Sequence, residues 1–431
     1  MRFMELLNIK DVEIERLFNR SQLAMNEQAE TVRSIIADIR ARGDEALFEY
    51  TSRFDKTSLD TSSIKVSKAE IEQAYENTDA ELIRVMKESA ANIRDYYSRQ
   101  KRESFTYNQK AGRELGVLYI PIQSLGVYVP GGAAAYPSSV LMSAVPAAVA
   151  GVERIIVATP CEAILKRPAY STIVAADIAG VSEIYKMGGA QAIAALAFGT
   201  QSVQKVDKIV GPGNIYVALA KREVFGYVGI DSIAGPSEIL VIADGSADAR
   251  YVAADVLSQA EHDPMAACIC VSCDKALAQE ILREIEKQMV KLSRRDIISR
   301  SLSAYGAVVV ADNLEQAVEF SNRIAPEHLE LCVEKPEKLL PLIKNAGAVF
   351  MGHYSPEPLG DYFAGPSHVL PTSGTARFFS PVNLDDFVKK TSVINYSREA
   401  LKEVHKDIEL FARFEGLTAH ENSVKIRFEE E

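Results

Sequence analysis

A glutamine and a histidine stand three residues apart in residues 258–263, SQAEHD, near the end of a helical pattern. Side chains three residues apart lie on the same face of a helix. The carboxamide of Gln259 and the imidazole of His262 could therefore offer donor atoms to one point. The alternative is a solvated helix face or a hydrogen-bonded core histidine, both of which are common.

A glutamate and a second histidine are adjacent in residues 325–330, APEHLE. If Pro326 occupies the first position of a helix, Glu327 and His328 lie in the opening turn, where the helix dipole favours a carboxylate and a neutral imidazole. A neutral imidazole can accept an alcohol proton, and a carboxylate can activate water. The pair is a candidate for base catalysis, and the alternative is a helix N-terminal glutamate beside a half-buried histidine.

A third group of polar residues lies in the Gly/Pro-rich residues 353–381, too long for an ordinary connection. Glycines around Asp361 allow the backbone to bring its carboxylate close to a ligand. With Gln259, His262 and His420, it gives a nitrogen and oxygen ligand set that suits zinc or another borderline divalent metal. A glutamine and a carboxylate are unusual in closed structural zinc sites, so a site with open positions fits best.

Three glycine turns each precede a helix, at residues 130–132 (PGG), 188–191 (GGAQ) and 211–214 (GPGN). The Gly-x-Gly-x-x-Gly pattern of dinucleotide-binding folds is absent from the sequence. Exposed backbone N–H groups at a helix start can bind phosphate, although each turn is also an ordinary βα connection. Together they indicate a nucleotide-sized anionic ligand.

The elements that must position these residues follow two patterns. Residues 1 to about 110 are predicted to be helical, with long helices at 27–41 and 79–102. From residue 115, short apolar strands alternate with helices, and the alternation begins again near residue 235, which predicts two α/β units with parallel, doubly wound sheets. An amphipathic helix is predicted at 398–415, with His420 in the tail beyond it.

Composition excludes several classes of partner. The chain has 431 residues, 47% of them hydrophobic, and a net charge of −11. This acidic balance predicts no nucleic-acid or membrane partner and favours a small molecule. No apolar run approaches the roughly 20 residues of a membrane span, and a signal-peptide pattern is missing, so we expect a cytoplasmic protein. Five cysteines indicate no disulfide framework, and Cys268 and Cys270 are expected to be buried strand thiols.

Taken together, these segments resemble the histidinol dehydrogenase family. The matching segments run in order from Val127 to His420: 127–132 (VYVPGG), 135–142 (AYPSSVLM), 210–214 (VGPGN), 234–238 (AGPSE), 258–262 (SQAEH), 325–330 (APEHLE), 365–372 (GPSHVLPT) and 415–420 (EGLTAH). Ala133 is a departure, because many members are expected to have a larger or polar residue there. It affects only the details of NAD contact.

The resemblance implies a fold of two incomplete Rossmann-like doubly wound units with small helical N- and C-terminal pieces. The expected domains are an N-terminal helical arm at 1–25, a zinc-binding catalytic α/β domain at 26–126 and 238–380, an NAD-binding α/β domain at 127–237, and a C-terminal helical tail at 381–431 that contributes to the partner's site.

The activity implied by the resemblance is oxidation of L-histidinol to L-histidine through histidinaldehyde, with two NAD⁺, as the last step of histidine biosynthesis. It also implies one zinc ion per subunit, bound as a substrate anchor, and a homodimer with shared active sites. The implied zinc ligands are Gln259, His262, Asp361 and His420, of which His420 comes from the partner subunit.

The resemblance also implies roles for individual residues. His328 takes the alcohol proton, and Glu327 activates the water that hydrates the aldehyde. The implied substrate contacts are Ser237, Gln259, His262, His328, Asp361, His368, Glu415 and His420. The implied NAD contacts are Tyr128, Gln191 and Asn214.

Three other functions compete with this one. A relative that oxidises another amino or sulfonated alcohol would lose substrate contacts such as Glu415 or His368, and both are present. A zinc hydrolase with Glu327 as its base would have no use for the nucleotide turns. A non-catalytic metal-binding module would leave Glu327 and His328 without a function.

Overall fold

The strands and helices are known from a computed structural model, which describes residues 1–6, 22–131 and 135–429. The strands are β1 Arg2–Glu5, β2 Phe105–Lys110, β3 Arg113–Pro121, β4 Ser124–Tyr128, β5 Arg154–Thr159, β6 Glu183–Lys186, β7 Lys208–Val210, β8 Gly229–Ile230, β9 Glu238–Ala243, β10 Ala267–Ser272, β11 Gly306–Val310, β12 His328–Cys332, β13 Ala348–Met351 and β14 Val388–Tyr396.

The α-helices are Gln22–Arg42, Asp44–Phe54, Lys68–Glu76, Ala80–Ser98, Pro137–Ala150, Tyr170–Ala179, Gly189–Phe198, Ile215–Val224, Ala249–Ala260, Lys275–Met289, Arg295–Tyr305, Leu314–Ile324, Pro336–Leu339, Glu357–Tyr362, Arg398–Lys402, His405–Phe414 and Thr418–Lys425. Short 3-10 helices occur at Leu340–Leu342, Thr375–Arg377, Leu384–Asp386 and Ile426–Phe428.

A five-stranded sheet of order β6-β5-β4-β7-β8 occupies the first α/β unit, and all its strands are parallel. The chain proceeds from β4 to β6 on one side and then crosses to β7 on the other. In doubly wound sheets, ligands bind at the carboxyl ends of the strands, where the order reverses. The reversal lies between β4 and β7, directly before two of the predicted nucleotide turns.

Helix Gln22–Arg42 packs into the core of this sheet. Its buried side chains Val32, Ile35 and Ile39 share one apolar cluster with Ile156 and Ile193. Apolar spacing of three and four residues produces this buried stripe, and Gly43, with φ of 60°, follows the helix. The expected grouping of residues 26–126 with 238–380 in one domain stays a prediction.

A six-stranded sheet of order β1-β11-β10-β9-β12-β13 forms the second α/β unit, again with all strands parallel. Apolar helices cover both faces, so the predicted α/β class with parallel sheets is confirmed. The prediction that residues 1–110 are helical was wrong at β1 and β2. Strand β1 has four residues and pairs with β11, about 300 residues away, and no local pattern reports such a pairing. Most of the predicted arm at 1–25 lies outside the described residues.

The chain divides into two compact units. The first contains Met1–Arg99 and Gln123–Asp386, with both parallel sheets. The second contains Gln100–Ile122 and Phe387–Glu431 and has an antiparallel sheet of order β14-β3-β2. The helix predicted at 398–415 is two helices, because the chain leaves helical geometry between Lys402 and His405. The second of them exposes Phe411 and Phe414, by 74% and 85%.

Within the described ranges, no helix has the length and apolar character required to cross a membrane. All five cysteines are free thiols. Cys268 and Cys270 are fully buried in β10, which confirms the prediction of buried strand thiols.

Candidate active site

The predicted metal-binding pair stands at a helix end. Helix Ala249–Ala260 connects two parallel strands and so runs antiparallel to them, and its C-terminal end lies at the amino edge of the six-stranded sheet. Gln259 is in its last turn, but His262 lies two residues beyond the helix, and its N–H donates to the Gln259 carbonyl at 3.2 Å. The expectation of one shared helix face was therefore only half right.

Gln259 is completely buried, and neither atom of its carboxamide has a hydrogen-bond partner among the described residues. Leaving a buried polar group unsatisfied costs about 1–3 kcal/mol. An unsatisfied buried carboxamide of this kind is a candidate ligand contact.

Asp361 lies in the short helix Glu357–Tyr362, which brings its carboxylate close to His262. Donor atoms of His262, Asp361 and Glu357 all lie within 4.8 Å of one another. Glu357 is a functional candidate that the sequence analysis missed, although its spacing of four residues from Asp361 on a helix could have revealed it. It is 1% exposed, and burial together with the nearby Asp361 raises its pKa above the ordinary carboxyl range.

The residues present fit a divalent metal. An imidazole nitrogen and carboxylate oxygens converge within 4.8 Å, and the buried carboxamide of Gln259, one turn before His262, has no partner in the described chain. Nitrogen and oxygen donors of this kind are the ligands that zinc accepts in sites with open positions.

Glu327 and His328 are not in a helix, contrary to the prediction. Helix Leu314–Ile324 ends at Ala325, which has a left-handed φ of 54°, and β12 begins at His328. All five residues of β12 are buried, because this strand lies between β9 and β13 in a sheet covered on both faces. The helix dipole therefore plays no part in the protonation of this pair.

Burial sets the state of His328 instead. Desolvation lowers its pKa to about 4, which keeps the imidazole neutral near pH 7. Its Nδ1 lies 2.8 Å from the carbonyl oxygen of Glu238. Because a carbonyl only accepts, Nδ1 carries the hydrogen and Nε2 presents a lone pair. Among the described residues Nε2 has no hydrogen-bond partner, and it lies 3.7 Å from Oε1 of Glu357, so it faces the metal-binding group.

Glu327 is held by the first residue of the neighbouring strand β9. Its Oε2 accepts the backbone N–H of Glu238 at 2.8 Å and lies 3.8 Å from Nδ1 of His328. Ser237 is the residue before β9, next to this contact. The two candidate bases, Glu327 and His328, and Ser237 therefore lie at the amino edge of the sheet, together with the metal-binding group.

His368 is bound to the metal-binding helix. Its Nδ1 lies 3.0 Å from the backbone carbonyl of Asp361, and its Nε2 lies 3.4 Å from Oγ of Ser139. The side chain is 12% exposed. The structure thus brings together six of the predicted substrate or metal residues: Ser237, Gln259, His262, His328, Asp361 and His368.

A buried acid pair lies beside the site. Carboxylate oxygens of Asp255 and Glu330 lie within 4.8 Å of each other, and the backbone N–H of Glu357 donates to Glu330 at 2.7 Å. Burial and the mutual repulsion of the two charges raise the pKa of Glu330 well above its ordinary value, and burial raises that of Asp255. Two facing carboxyl groups can form a hydrogen bond only if they share a proton.

This pair is expected to make the free energy of unfolding decrease as the pH rises. Both acids have a higher pKa folded than unfolded, so their full contribution is present below the unfolded values near 4 and is lost as pH rises through the folded values. Glu330→Gln supplies a permanent donor to Asp255. Its melting temperature is expected to exceed that of the wild type at pH 8 and to approach it at pH 5. Thermal unfolding across this range checks the prediction, with exposed Glu334→Gln as the control, and equal pH dependence of Glu330→Gln and wild type would contradict it.

The predicted NAD residues lie at the carboxyl edge of the five-stranded sheet. Tyr128 ends β4, and its phenol oxygen accepts the N–H of Gly189 at 3.1 Å. Gln191 is 1% exposed, and its Nε2 has no partner among the described residues. Asn214 follows β7 and caps helix Ile215–Val224 through its side chain. The turns at 188–191 and 211–214 both lie next to Tyr128. In the turn at 130–132, Gly132 lies outside the described residues, as does Ala133 after it.

Glu415 and His420 belong to the second compact unit. Glu415 follows helix His405–Phe414, and His420 lies in helix Thr418–Lys425. Both side chains are exposed within this unit.

Known proteins resemble this chain along almost its whole length. The family model described as histidinol dehydrogenase matches residues 18–428. A histidinol dehydrogenase of Caldanaerobacter subterraneus subsp. tengcongensis is 54% identical over 422 residues, covering 97% of each chain. One from Bacillus subtilis is 52% identical and covers 98% of this chain and 99% of its own. A crystal structure of histidinol dehydrogenase from Elizabethkingia anophelis superposes with a TM-score of 0.89 at 39% identity, covering 94% of this chain and 92% of that one.

Proposed function

Because the chain belongs to the histidinol dehydrogenase family, we propose that it oxidises L-histidinol to L-histidine through histidinaldehyde, with two NAD⁺ and a zinc ion. It is an oxidoreductase of histidine biosynthesis. The observation that carries the detailed proposal is the neutral His328, whose Nε2 lone pair faces the group His262, Glu357 and Asp361. A base beside a metal-binding group is what a metal-anchored alcohol oxidation requires.

We assign the metal to Gln259, His262 and Asp361, completed by His420 of the partner subunit. The unsatisfied carboxamide of Gln259 and the convergence of His262 with Asp361 support this assignment. A bound zinc ion would anchor the imidazole and amine of the substrate at its open positions. Such an anchor is remote from the reacting carbon and therefore holds the substrate through both oxidations.

The protein's own residues supply the proton chemistry. In the first oxidation, Nε2 of His328 takes the hydroxyl proton as the carbinol hydride leaves for NAD⁺. Glu327, held by the N–H of Glu238, then takes a proton from the water that adds to the aldehyde carbon, while His328 returns its proton to the aldehyde oxygen, so that the hydrate forms and His328 is again neutral. In the second oxidation, His328 removes a hydroxyl proton from the hydrate as the second hydride leaves, and the carboxylic acid forms. Ser237 and His368 contact the substrate.

For the cofactor, we assign Tyr128, Gln191 and Asn214 to NAD contacts. Their position at the carboxyl edge of a doubly wound sheet, beside the reversal of strand order, supports this. The unsatisfied Nε2 of Gln191 is a donor that a bound dinucleotide could engage. In this proposal residues 127–237 bind NAD, and residues 238–380 carry the metal and the bases.

The proposed assembly is a homodimer in which Glu415 and His420 of each chain complete the partner's site. Phe411 and Phe414 lie next to Glu415 in sequence and are largely exposed. An exposed aromatic patch of this kind is typical of a protein interface, and it supports the view that this unit contacts a second chain. Free thiols throughout are compatible with the reducing cytoplasm, where we place the enzyme.

The proposal is tested by stoichiometry. A limiting amount of histidinol with excess NAD⁺ is expected to give two NADH and one histidine per histidinol, measured by absorbance and by chromatography of the product. One NADH with accumulated aldehyde would remove the second oxidation from the proposal. No NADH from histidinol, but NADH from another amino or sulfonated alcohol, would establish the competing dehydrogenase. Hydrolysis without NADH would establish the hydrolase.

A further inference from the structure

Gly211 occupies a constrained position at the reversal of strand order. It follows β7 directly and opens the turn at residues 211–214, which leads into helix Ile215–Val224. Its φ is +112°, and a Cβ at this position would lie 2.1 Å from the carbonyl oxygen of Tyr128. The turn therefore passes against the backbone of Tyr128 at a distance that only glycine permits.

Two charged side chains hold both backbone polar groups of this glycine. The N–H of Gly211 donates to Oδ2 of Asp231 at 2.8 Å, and Nζ of Lys221 donates to the Gly211 carbonyl at 3.0 Å. Lys221 and Asp231 are also ion-paired with each other. We refer to these two residues as the Gly211 clamp.

The clamp is almost completely buried, since both side chains are 3% exposed. A buried ion pair is weak evidence for stability, because its desolvation offsets most of its attraction and apolar residues of similar volume often serve as well. What an apolar pair could not do is bind the N–H and carbonyl of one glycine at the same time. The geometry therefore indicates that these charges fix the position of the turn.

The clamp also reaches the connection between the two α/β units. Oδ1 of Asp231 accepts the N–H of Ser232 at 2.7 Å, and residues 232–237 lead from β8 to Ser237 and β9. Downstream in the same connection, Gly235 donates its N–H to Oγ1 of Thr372. One end of the segment that carries Ser237 is thus held by the residue that holds the Gly211 turn.

We propose that Lys221 and Asp231 are positioning residues for the cofactor. They hold the Gly211 turn against Tyr128 so that Asn214 and the backbone of the turn meet the dinucleotide in a fixed geometry. This inference rests on the proposed function, because it requires NAD⁺ to bind at this turn. Neither residue touches the cofactor in this scheme, and both act through Gly211.

The test measures NAD⁺ binding directly, by calorimetric titration of the full-length protein without substrate. Lys221→Met removes the contact with the Gly211 carbonyl and is expected to weaken NAD⁺ binding by about tenfold or more. It also leaves Asp231 buried without its partner, which lowers the melting temperature. The double variant Lys221→Met/Asp231→Asn buries no lone charge, so its melting temperature is expected to recover while NAD⁺ binding stays weak.

Lys208→Met is the matched control. Lys208 lies in β7 and is ion-paired with Asp386 at 2.7 Å, whereas the hydrogen bonds of Gly211 described above go to Asp231 and Lys221. Its NAD⁺ affinity is expected to stay within twofold of wild type.

Two results would overturn the inference. If the double variant is folded by circular dichroism and binds NAD⁺ as the wild type does, the clamp is structural only. If the wild type binds no NAD⁺ at all, the proposed cofactor site fails, and the inference fails with it. The two failures are distinguishable because only the second appears in the unmutated protein.

Discussion

His328→Asn is expected to lower kcat for NADH formation from histidinol by about 10²- to 10⁴-fold, which is the usual contribution of a general base. An asparagine amide can still donate to the Glu238 carbonyl, as Nδ1 of His328 does. What the variant loses is Nε2, the neutral lone pair that faces His262, Glu357 and Asp361. Both oxidations use this atom in our proposal, so NADH formation from histidinol and from histidinaldehyde should fall together.

Glu327→Gln is expected to separate the two oxidations. Glutamine keeps an oxygen that accepts the N–H of Glu238, but it cannot take a proton from water. The first oxidation should then proceed with a modest loss, whereas the second should slow by at least about 10²-fold. Single-turnover measurements with histidinol should show one NADH per site and trapped aldehyde, instead of two NADH.

The matched control for both variants is Glu334→Gln, an exposed glutamate just after the end of β12, which should keep wild-type rates. If Glu327→Gln slows NADH formation equally from alcohol and aldehyde, Glu327 does not act on the hydrating water. If His328→Asn retains most of its activity, the base lies elsewhere.

Much of the fold could be predicted because its strands are buried on both sides. Strands β9 and β10 appear in the sequence as apolar runs, with a polar residue only at the start of β9 (Glu238) and at the end of β10 (Ser272). Strand β12 does not, because it contains His328 and the buried Glu330 and follows Pro326 and Glu327. These polar residues resemble the first turn of a helix, and only the neighbouring strands of the sheet show that the segment is extended.

The site was predictable in its residue types but not in its geometry. His262 and Asp361 are about 100 residues apart, and no spacing rule could show that they approach within 4.8 Å. Their proximity follows from topology. Crossover helices return to the amino edge of the sheet, so the end of helix Ala249–Ala260 and the start of β12 meet there. The buried Glu357 was missed because its only signal in the sequence is a spacing of four residues from Asp361, which shows neither its burial nor its approach to His262.

The effect of burial on the protonation and pairing of charged side chains could also not be predicted from the sequence. The neutral state of His328 was expected from a helix dipole, whereas it results from desolvation in a central strand. Likewise, nothing in the sequence pairs Lys221 with Asp231 or places both on the backbone of Gly211. Such contacts depend on which side chains are buried together, and this is fixed only when the sheet is assembled.

A mixed dimer gives the second large effect, because it tests the proposed metal ligands and the shared site together. Asp361→Ala and His420→Asn are each expected to lower activity by at least about 10²-fold as homodimers, since each removes a metal ligand. If His420 serves the partner's site, a heterodimer of the two variants has one site with both defects and one intact site. Purified through two different affinity tags, this heterodimer should recover about half of the wild-type activity.

The recovery distinguishes a shared site from a site within one chain. If His420 served its own chain, each site of the heterodimer would carry one defect, and activity would stay as low as in the homodimers. Zinc content provides a readout independent of turnover: about one ion per heterodimer is expected, against two in the wild-type dimer. A His420→Asn homodimer that keeps two zinc ions, together with a heterodimer that recovers activity, would retain His420 as a partner residue but exclude it from the metal site. In that outcome the unsatisfied carboxamide of Gln259 and the group His262, Glu357 and Asp361 would remain as the ligand set.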